Sequence, residues 1–264
     1  WNAVPADKTL KLGMSDANVS ALRQRLITSG DLQQSVGISQ SFDSYVDEAV
    51  KRFQARHGIQ PDGVVGKISL AALNVPVDVR VSQLQTNFVR LRALAGNKGD
   101  RFIAVNLPAA SIEAVEAERV VSRHTAVVGK VDRQSPILNS KVYQINFNPY
   151  WTVPVSIIRK DMIPRMQQDP SYLTENRIRI YDKGGAELQP TQINWTTDEA
   201  VNFRFRQDPG EGNSLGSIRI NFHNQHAVYL HDTPAKGLFG EEYRFNSSGC
   251  IRVQNIKELV AWIL

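Results

Sequence analysis

Cys250 is the only cysteine in the chain and lies in FNSSGCIRVQN, residues 245–255. A thiol attacks carbonyl carbon well once its pKa falls below about 8.5, or once a neighbouring base takes its proton. Histidine is the base to look for, and the chain has five. His57 closes a helical pattern, His124 opens an extended run, and His223 and His226 lie near the end of another. His231 follows AVYL at the end of the next extended run, with Asp232 and Thr233 leading into a turn. A strand-end side chain facing a loop is well placed for a site. The loop TPAKGLFGEEYRFNSSG contains glycine and can fold back to bring His231 to Cys250. A thiol nucleophile beside an imidazole base is the chemistry of acyl transfer.

Residues around the pair fit that chemistry. Gly249 suits a tight turn that aims successive backbone N–H groups at one spot, as an oxyanion requires. In an extended segment Arg252 shares a face with Cys250, where a guanidinium can grip a carboxylate through two hydrogen bonds. Tyr229 shares the face of His231 by alternation and is placed to line a pocket. Blander readings exist for each residue. A lone cysteine is ordinarily buried and inert, a single histidine structural, and Arg252 a surface ion-pair partner. The run HNQHAVYLH suggests a metal site at His223, His226 and His231, but His223 and His226 would face opposite sides of a strand and no carboxylate motif accompanies them.

Stepping outward, residues 10–75 carry three short helical patterns. SDANVSALRQRLITSG opens on a cap at Ser15 or Asp16, places Val19, Leu22 and Leu26 on one face, and closes at Gly30. FDSYVDEAVKRFQARHG repeats the plan with Val46, Ala49, Val50 and Phe53, closing at Gly58. PDGVVGKISLAAL supplies a turn and a third helix. Residues 76–98 read as a connector: VPVD extended, VSQLQTNFVRLRAL an amphipathic helix, and a turn at Gly96–Gly99. From residue 99 on, short β-branched and aromatic runs take over: RFIAVNLP, HTAVVGKV, KVYQINFN, RIRIYD, SIRINF and AVYLHD. They predict a mostly-β, sandwich-like or barrel-like body, so the fold class is α+β and multidomain. Residues 150–210, rich in Pro, Asn, Asp and Gln, form a long insertion of the kind that acts as a lid. Within it SIIRKDMIPRMQQ reads as a helix broken by Pro164, and a last amphipathic helix starts near Asn255.

The whole chain sets outer limits. Its 264 residues and 42% hydrophobic content suit one large or two small domains with real cores. The net charge of +5 is scattered, with no basic run of the kind that binds nucleic acid, and it also suits an anionic polymer such as a cell-wall glycan. One cysteine excludes an internal disulfide. The chain begins at Trp1 without a signal peptide, so a trimmed or mature form is expected.

YLHDT, followed by SSGCIRVQN, resembles the signature of L,D-transpeptidases with a YkuD-type catalytic domain. His231, Ser247, Gly249, Cys250, Arg252 and Asn255 fall on the motif, with fifteen residues between His231 and Ser247. One departure is plain: the family's second histidine is Ser248 here. The SSGC form, with NFNPYWTVPVSIIRKD and DPSYL, resembles the large periplasmic branch of Gram-negative bacteria, in which an insertion caps the active site. Leu22, Leu26, Gly30, Phe42-Asp43, Ala49-Val50, Phe53-Gln54, Gly58 and Asp62-Gly63-Val64-Val65-Gly66 resemble the three-helix peptidoglycan-binding domain, with Ile68 where a threonine is usual.

The resemblance implies a peptidoglycan-binding module at 10–75, a helical linker at 76–98, and a catalytic domain at 99–264 capped by 150–210. It implies Cys250 as nucleophile and His231 as base. It also implies an oxyanion hole from the N–H groups of Ser248, Gly249 and Cys250. Substrate contacts would come from Arg252, Tyr229, Ser247, Trp151 and Asn255, with a backbone carbonyl rather than Asp232's carboxylate orienting the histidine. The expected reaction takes a tetrapeptide donor stem and a diaminopimelate acceptor to a 3→3 cross-link, in the periplasm, with no metal or cofactor. Carbapenem β-lactams are expected to acylate the same sulfur, and cell-wall synthases are expected partners. Water or a lipoprotein lysine as acceptor, and a non-catalytic wall-binding protein, remain open as alternatives.

Overall fold

The computed structural model describes residues 1–95 and 98–264. Two positions of the turn expected at Gly96–Gly99, Gly96 and Asn97, lie outside the described residues. The chain divides into two compact units, residues 1–102 with 116–118, and residues 103–115 with 119–264.

The first unit is helical. α1 (Ala17–Thr28) starts where the Asp16 carboxylate accepts the Asn18 N–H, and α2 (Ser44–Arg56) starts where Asp43 accepts the Val46 N–H. Gly30 (φ 77°) and Gly58 (φ 69°) end these helices in the left-handed region that glycine tolerates. α3 (Lys67–Leu73) follows Gly66. Val19, Leu22, Leu26, Val46, Ala49, Val50, Phe53, Leu70 and Leu73 close into one core. Two polar side chains inside it are fully engaged. Arg23 donates to the carbonyls of Gly37 and Ser41 and to Asp43. Gln54 donates to Asp62 and the Val64 carbonyl and accepts the Gly63 N–H, which fixes the Pro-Asp-Gly turn. α4 (Val77–Ala95) corrects the connector: VPVD is not extended, because the helix begins at Val77 with Asp78 in its first turn. Leu84, Phe88, Val89 and Leu91 on it are exposed.

The sheet-rich part contains β1 (Arg101–Asn106), β2 (Ser111–Glu116), β3 (Arg119–Gly129), β4 (Val142–Phe147) and β5 (Trp151–Thr152). Then come α5 (Val155–Ile157), a π-turn (Ile158–Met162), α6 (Ile163–Gln168) and α7 (Tyr172–Glu175). β6 (Ile178–Tyr181), β7 (Glu187–Leu188) and β8 (Arg204–Gln207) follow, then β9 (Ile218–Phe222) and β10 (Leu230–His231). β11 (Phe245–Ser247), β12 (Ile251–Val253) and α8 (Ile256–Ile263) complete it.

The main sheet has the order β1-β2-β3-β12-β10-β9-β4, with β11 on β3. Register sorts its side chains. Leu230 pairs with Ile251 and Ile220, and His231 with Arg252 and Arg219. Asn146 pairs with Arg219, and Gln144 with Asn221. Alternation then sends Ile218, Ile220, Leu230, Ile251 and Val253 to one face, where they pack with Ile256, Leu259 and Val260 of α8. The other face carries Gln144, Asn146, Arg219, Asn221, His231 and Arg252. A one-residue slip would put these polar groups in the core, so the apolar face pins the register of the polar one.

Residues 151–207 leave the main sheet between β4 and β9 and form a second sheet, β5-β8-β6-β7. Trp151, Ile158, Met162, Leu173, Ile180 and Phe205 give it a separate core. The segment holding Pro164 is helical from Val155 to Gln168 and is not broken. The π-turn ahead of α6 changes the hydrogen-bond register, and Pro164 then falls in the first turn of α6, where no N–H is required.

Asp43 caps α2 and also answers the buried Arg23 guanidinium, whereas Asp16 caps α1 and pairs only with an exposed lysine. Asp43→Ala is therefore expected to destabilise the helical unit by about 1–3 kcal/mol, more than the roughly 1 kcal/mol of a cap alone. Asp16→Ala should stay near the lower figure. Urea denaturation followed by circular dichroism reads the difference, and equal costs would contradict the double role.

Candidate active site

Cys250 and His231 reach the same face of the main sheet by different routes. His231 is the last residue of β10. Cys250 precedes β12, and the Ile251 N–H donates to the Tyr229 carbonyl, which sets the thiol level with Tyr229, two residues before His231. The thiol and the imidazole are thus diagonal neighbours on adjacent parallel strands, a separation side chains can bridge.

The histidine is held at its far nitrogen. His231 is buried, and its Nδ1 lies 2.5 Å from the carbonyl oxygen of Asp232. A carbonyl can only accept, so Nδ1 carries the proton and Nε2 keeps its lone pair. Asp232 orients the base through its backbone, while its carboxylate does something else. That carboxylate accepts the N–H (3.0 Å) and Oγ–H (2.7 Å) of Ser217 and pairs with Lys236. Burial opposes its ionisation, yet Lys236 and Ser217 hold its pKa below the usual carboxylate value. Gly216 makes room: at φ 58° it is in the left-handed region, and a Cβ there would stand 2.6 Å from Asp232 Cβ.

Burial, then the charge of Arg252, lowers the His231 pKa to about 3, against the opposing pull of the Asp232 carbonyl. The base is neutral at working pH. Burial likewise raises the Cys250 thiol, opposed by the N–H and hydroxyl of Tyr229 and by Arg252 and Arg219. The pair rests as thiol and imidazole, not as an ion pair. At rest the sulfur donates to the Ala227 carbonyl at 4.0 Å.

The turn ahead of the sulfur is tied from within and from outside. Ser247 is buried, with its Oγ accepting the Gly249 N–H at 3.1 Å and donating to the Cys250 carbonyl. Gly249 has φ 113°, which a side chain would strain. From residues 130–135, Ser135 donates to the Gly249 carbonyl (2.8 Å), and Arg133 donates to Ser248 Oγ (3.0 Å) while pairing with Asp161 of the π-turn. Gly129 lets this strap approach, since a Cβ would lie 2.3 Å from the Arg133 carbonyl.

Several expected roles change. The Gly249 N–H is taken by Ser247, whereas the N–H groups of Ser248 and Cys250 meet no protein acceptor among the described residues. Ser247 is part of the turn and offers a ligand nothing. Asn255 is at the other end of β12, in the left-handed region (φ 52°) at the start of α8, away from the sulfur. Trp151 is 9% exposed in the core of the second sheet, a core against which Tyr229 packs. Tyr229 stands edge-on to His231 with ring centroids 5.6 Å apart, and its side chain helps hold down the thiol pKa. Arg252 pairs with His231 in the register. Arg219, Gly216, Arg133 and Ser135 escaped the sequence reading, which expected a backbone carbonyl on the histidine without saying whose. Alternation within SIRINF was a usable signal for Arg219, but only the strand order puts it beside His231.

Residues 100–264 match the family described as "L,D-transpeptidase catalytic domain" (YkuD), and residues 15–73 match "Putative peptidoglycan binding domain". A Haemophilus influenzae protein named "Putative L,D-transpeptidase" is 33% identical over 183 residues, 69% of this chain and 37% of that protein. The chain thus spans little more than a third of that relative's length. Among solved structures, an L,D-transpeptidase from Stackebrandtia nassauensis aligns at 14% identity and TM-score 0.42, covering 99% of this chain and 92% of that one. One from Xylanimonas cellulosilytica aligns at 17% identity and TM-score 0.29, covering 98% and 92%.

A half-buried thiol beside a neutral imidazole has a definite pH signature. Alkylation of Cys250 by iodoacetamide should be slow at about pH 7 and rise about tenfold per pH unit into the alkaline range. Arg252→Gln should shift the rise to still higher pH by removing a charge that favours the thiolate. A plateau of reactivity between about pH 4 and 7 would instead indicate a preformed thiolate–imidazolium pair and contradict this geometry.

Proposed function

The chain belongs to the L,D-transpeptidase catalytic-domain family, and on that premise we propose that it joins peptide stems of peptidoglycan outside the cytoplasm through a thioester on Cys250. The observation that carries the proposal is the His231 imidazole. It is neutral, with Nδ1–H committed to a carbonyl and Nε2 free on the face that bears the thiol.

The donor is a tetrapeptide stem ending in meso-diaminopimelate and D-alanine. His231 Nε2 takes the thiol proton as Cys250 Sγ attacks the carbonyl at the L-centre of diaminopimelate. The oxyanion receives the Ser248 and Cys250 N–H groups, which have no other acceptor among the described residues. On collapse the C–N bond breaks, His231 returns the proton to the leaving amine, and D-alanine departs. The side-chain amine of a second diaminopimelate then attacks the thioester. His231 takes a proton from that amine and delivers it to the departing sulfur, and the product is a 3→3 cross-link. Tyr229, whose side chain helps hold down the thiol pKa, steadies the thiolate as it forms and leaves. No metal or cofactor enters these steps.

Residues 10–75 serve as the peptidoglycan-binding module, 76–98 as linker and 99–264 as catalytic domain. The 150–210 segment is the cap over the stem. Support for the cap comes from its separate core and from the Arg133–Asp161 pair, which joins its π-turn to the turn that carries Cys250. The setting that fits is a Gram-negative periplasm, with carbapenems as covalent inhibitors and cell-wall synthases as partners.

Incubation with purified disaccharide-tetrapeptide, followed by mass spectrometry, tests the assignment. Wild type is expected to produce cross-linked dimer and free D-alanine, and Cys250→Ala neither. His231→Ala should slow acylation by about two to four orders of magnitude. Tripeptide without dimer would make water the acceptor and the enzyme a carboxypeptidase. Full activity in Cys250→Ala would remove the nucleophile.

A further inference from the structure

Two guanidinium groups flank His231 in one row across the sheet, Arg252 on β12 and Arg219 on β9. Neither forms an ion pair with a carboxylate among the described residues, and the Nε of each is buried without an acceptor. Leaving a charge desolvated and unanswered is costly, so such a group ordinarily meets its counter-ion in a ligand. Arg219 is also held in place. Its Nη2 donates to Asn146 Oδ1 at 3.3 Å, and Asn146 is fixed in turn by the Asn221 amide at 2.8 Å, which also donates to Gln144. The guanidinium lies over the Tyr229 ring, 5.3 Å from its centroid, and Tyr229 is the residue level with the sulfur. The array is therefore preorganised and points toward the reacting atoms.

The geometry points to Arg219 as the residue that reads the terminal carboxylate of the donor stem, with Arg252 supporting it from the other side of His231. The inference rests on the transpeptidase reading and deepens it. His231 must deliver a proton to the nitrogen of the departing residue. In a stem ending one residue after the scissile bond, the carboxylate carbon is two bonds from that nitrogen, about 2.5 Å away. Neighbouring strands stand about 4.8 Å apart. A side chain one strand over from His231, on the same face, is thus at the right range to take the carboxylate through two parallel N–H···O bonds. Cleavage one residue from a free C-terminus then follows from charge pairing, with no need to recognise the D-alanine methyl.

The test compares a tetrapeptide stem with a free C-terminal carboxylate and the same stem with a C-terminal carboxamide, on wild type and Arg219→Gln. Thermal denaturation and stoichiometric iodoacetamide labelling of Cys250, a neutral probe, show that each variant is folded with its sulfur accessible. In wild type, kcat/KM for D-alanine release is expected to exceed that for release of D-alaninamide by about tenfold to a hundredfold. Arg219→Gln should bring the acid-to-amide ratio of kcat/KM to near one, beyond any loss that both substrates share because a charge favouring the thiolate is gone. Equal use of acid and amide by wild type, an undiminished preference in Arg219→Gln, or an equal loss on both substrates would overturn the Arg219 assignment alone. Release from neither stem by wild type would bring down the transpeptidase reading and this inference with it.

Discussion

The hydrogen bond from His231 Nδ1 to the Asp232 carbonyl is the contact on which the site depends. It uses the shortest possible connection, a residue and its neighbour's backbone, to choose the tautomer. That economy has a structural condition. The peptide unit of Asp232 has to stay fixed, and Asp232 is fixed by its carboxylate, through Ser217 and Lys236, and by Gly216, which has no side chain to push it away. The acidic side chain next to His231 therefore acts on the imidazole through the main chain.

The remaining electrostatics follow from burial and from the two arginines. A buried imidazole with a cation on either side stays neutral, which keeps a lone pair available on Nε2. The same cations favour the thiolate and oppose the burial that raises the thiol. The arginines thus favour negative charge at the sulfur, while burial keeps it protonated at rest. The sheet enforces this arrangement. Ile220, Leu230 and Ile251 must face α8, so Arg219, His231 and Arg252 must face the other way, already in line.

Much of this was legible in the chain. The paired cysteine and histidine stand out because thiol, glycine turn and strand-end histidine are each rare and fall at short range in sequence. The helical module was readable from its periodicity and from the glycines that end its first two helices. What escaped depends on contacts between distant segments. Arg219 looks like one more basic residue until β9 is set beside β10. Ser247 reads as a substrate contact by its motif position, yet burial turns its hydroxyl inward to tie the turn. Asn255 sits near Cys250 in sequence, but a strand carries it to the opposite end of β12. The 150–210 segment hid its second sheet because β5 and β7 are two residues long and its core is gathered from helices and strands alike.

The central claim is that His231 rests as the neutral tautomer protonated on Nδ1. Nitrogen-15 NMR of the protein labelled in histidine measures this directly, with His231→Gln identifying the resonance. The account predicts a protonated Nδ1 and an unprotonated Nε2 that persist as pH is lowered from about 8 to about 4, well below the ordinary histidine pKa of about 6.5. An imidazolium at neutral pH, or a proton on Nε2, would contradict it.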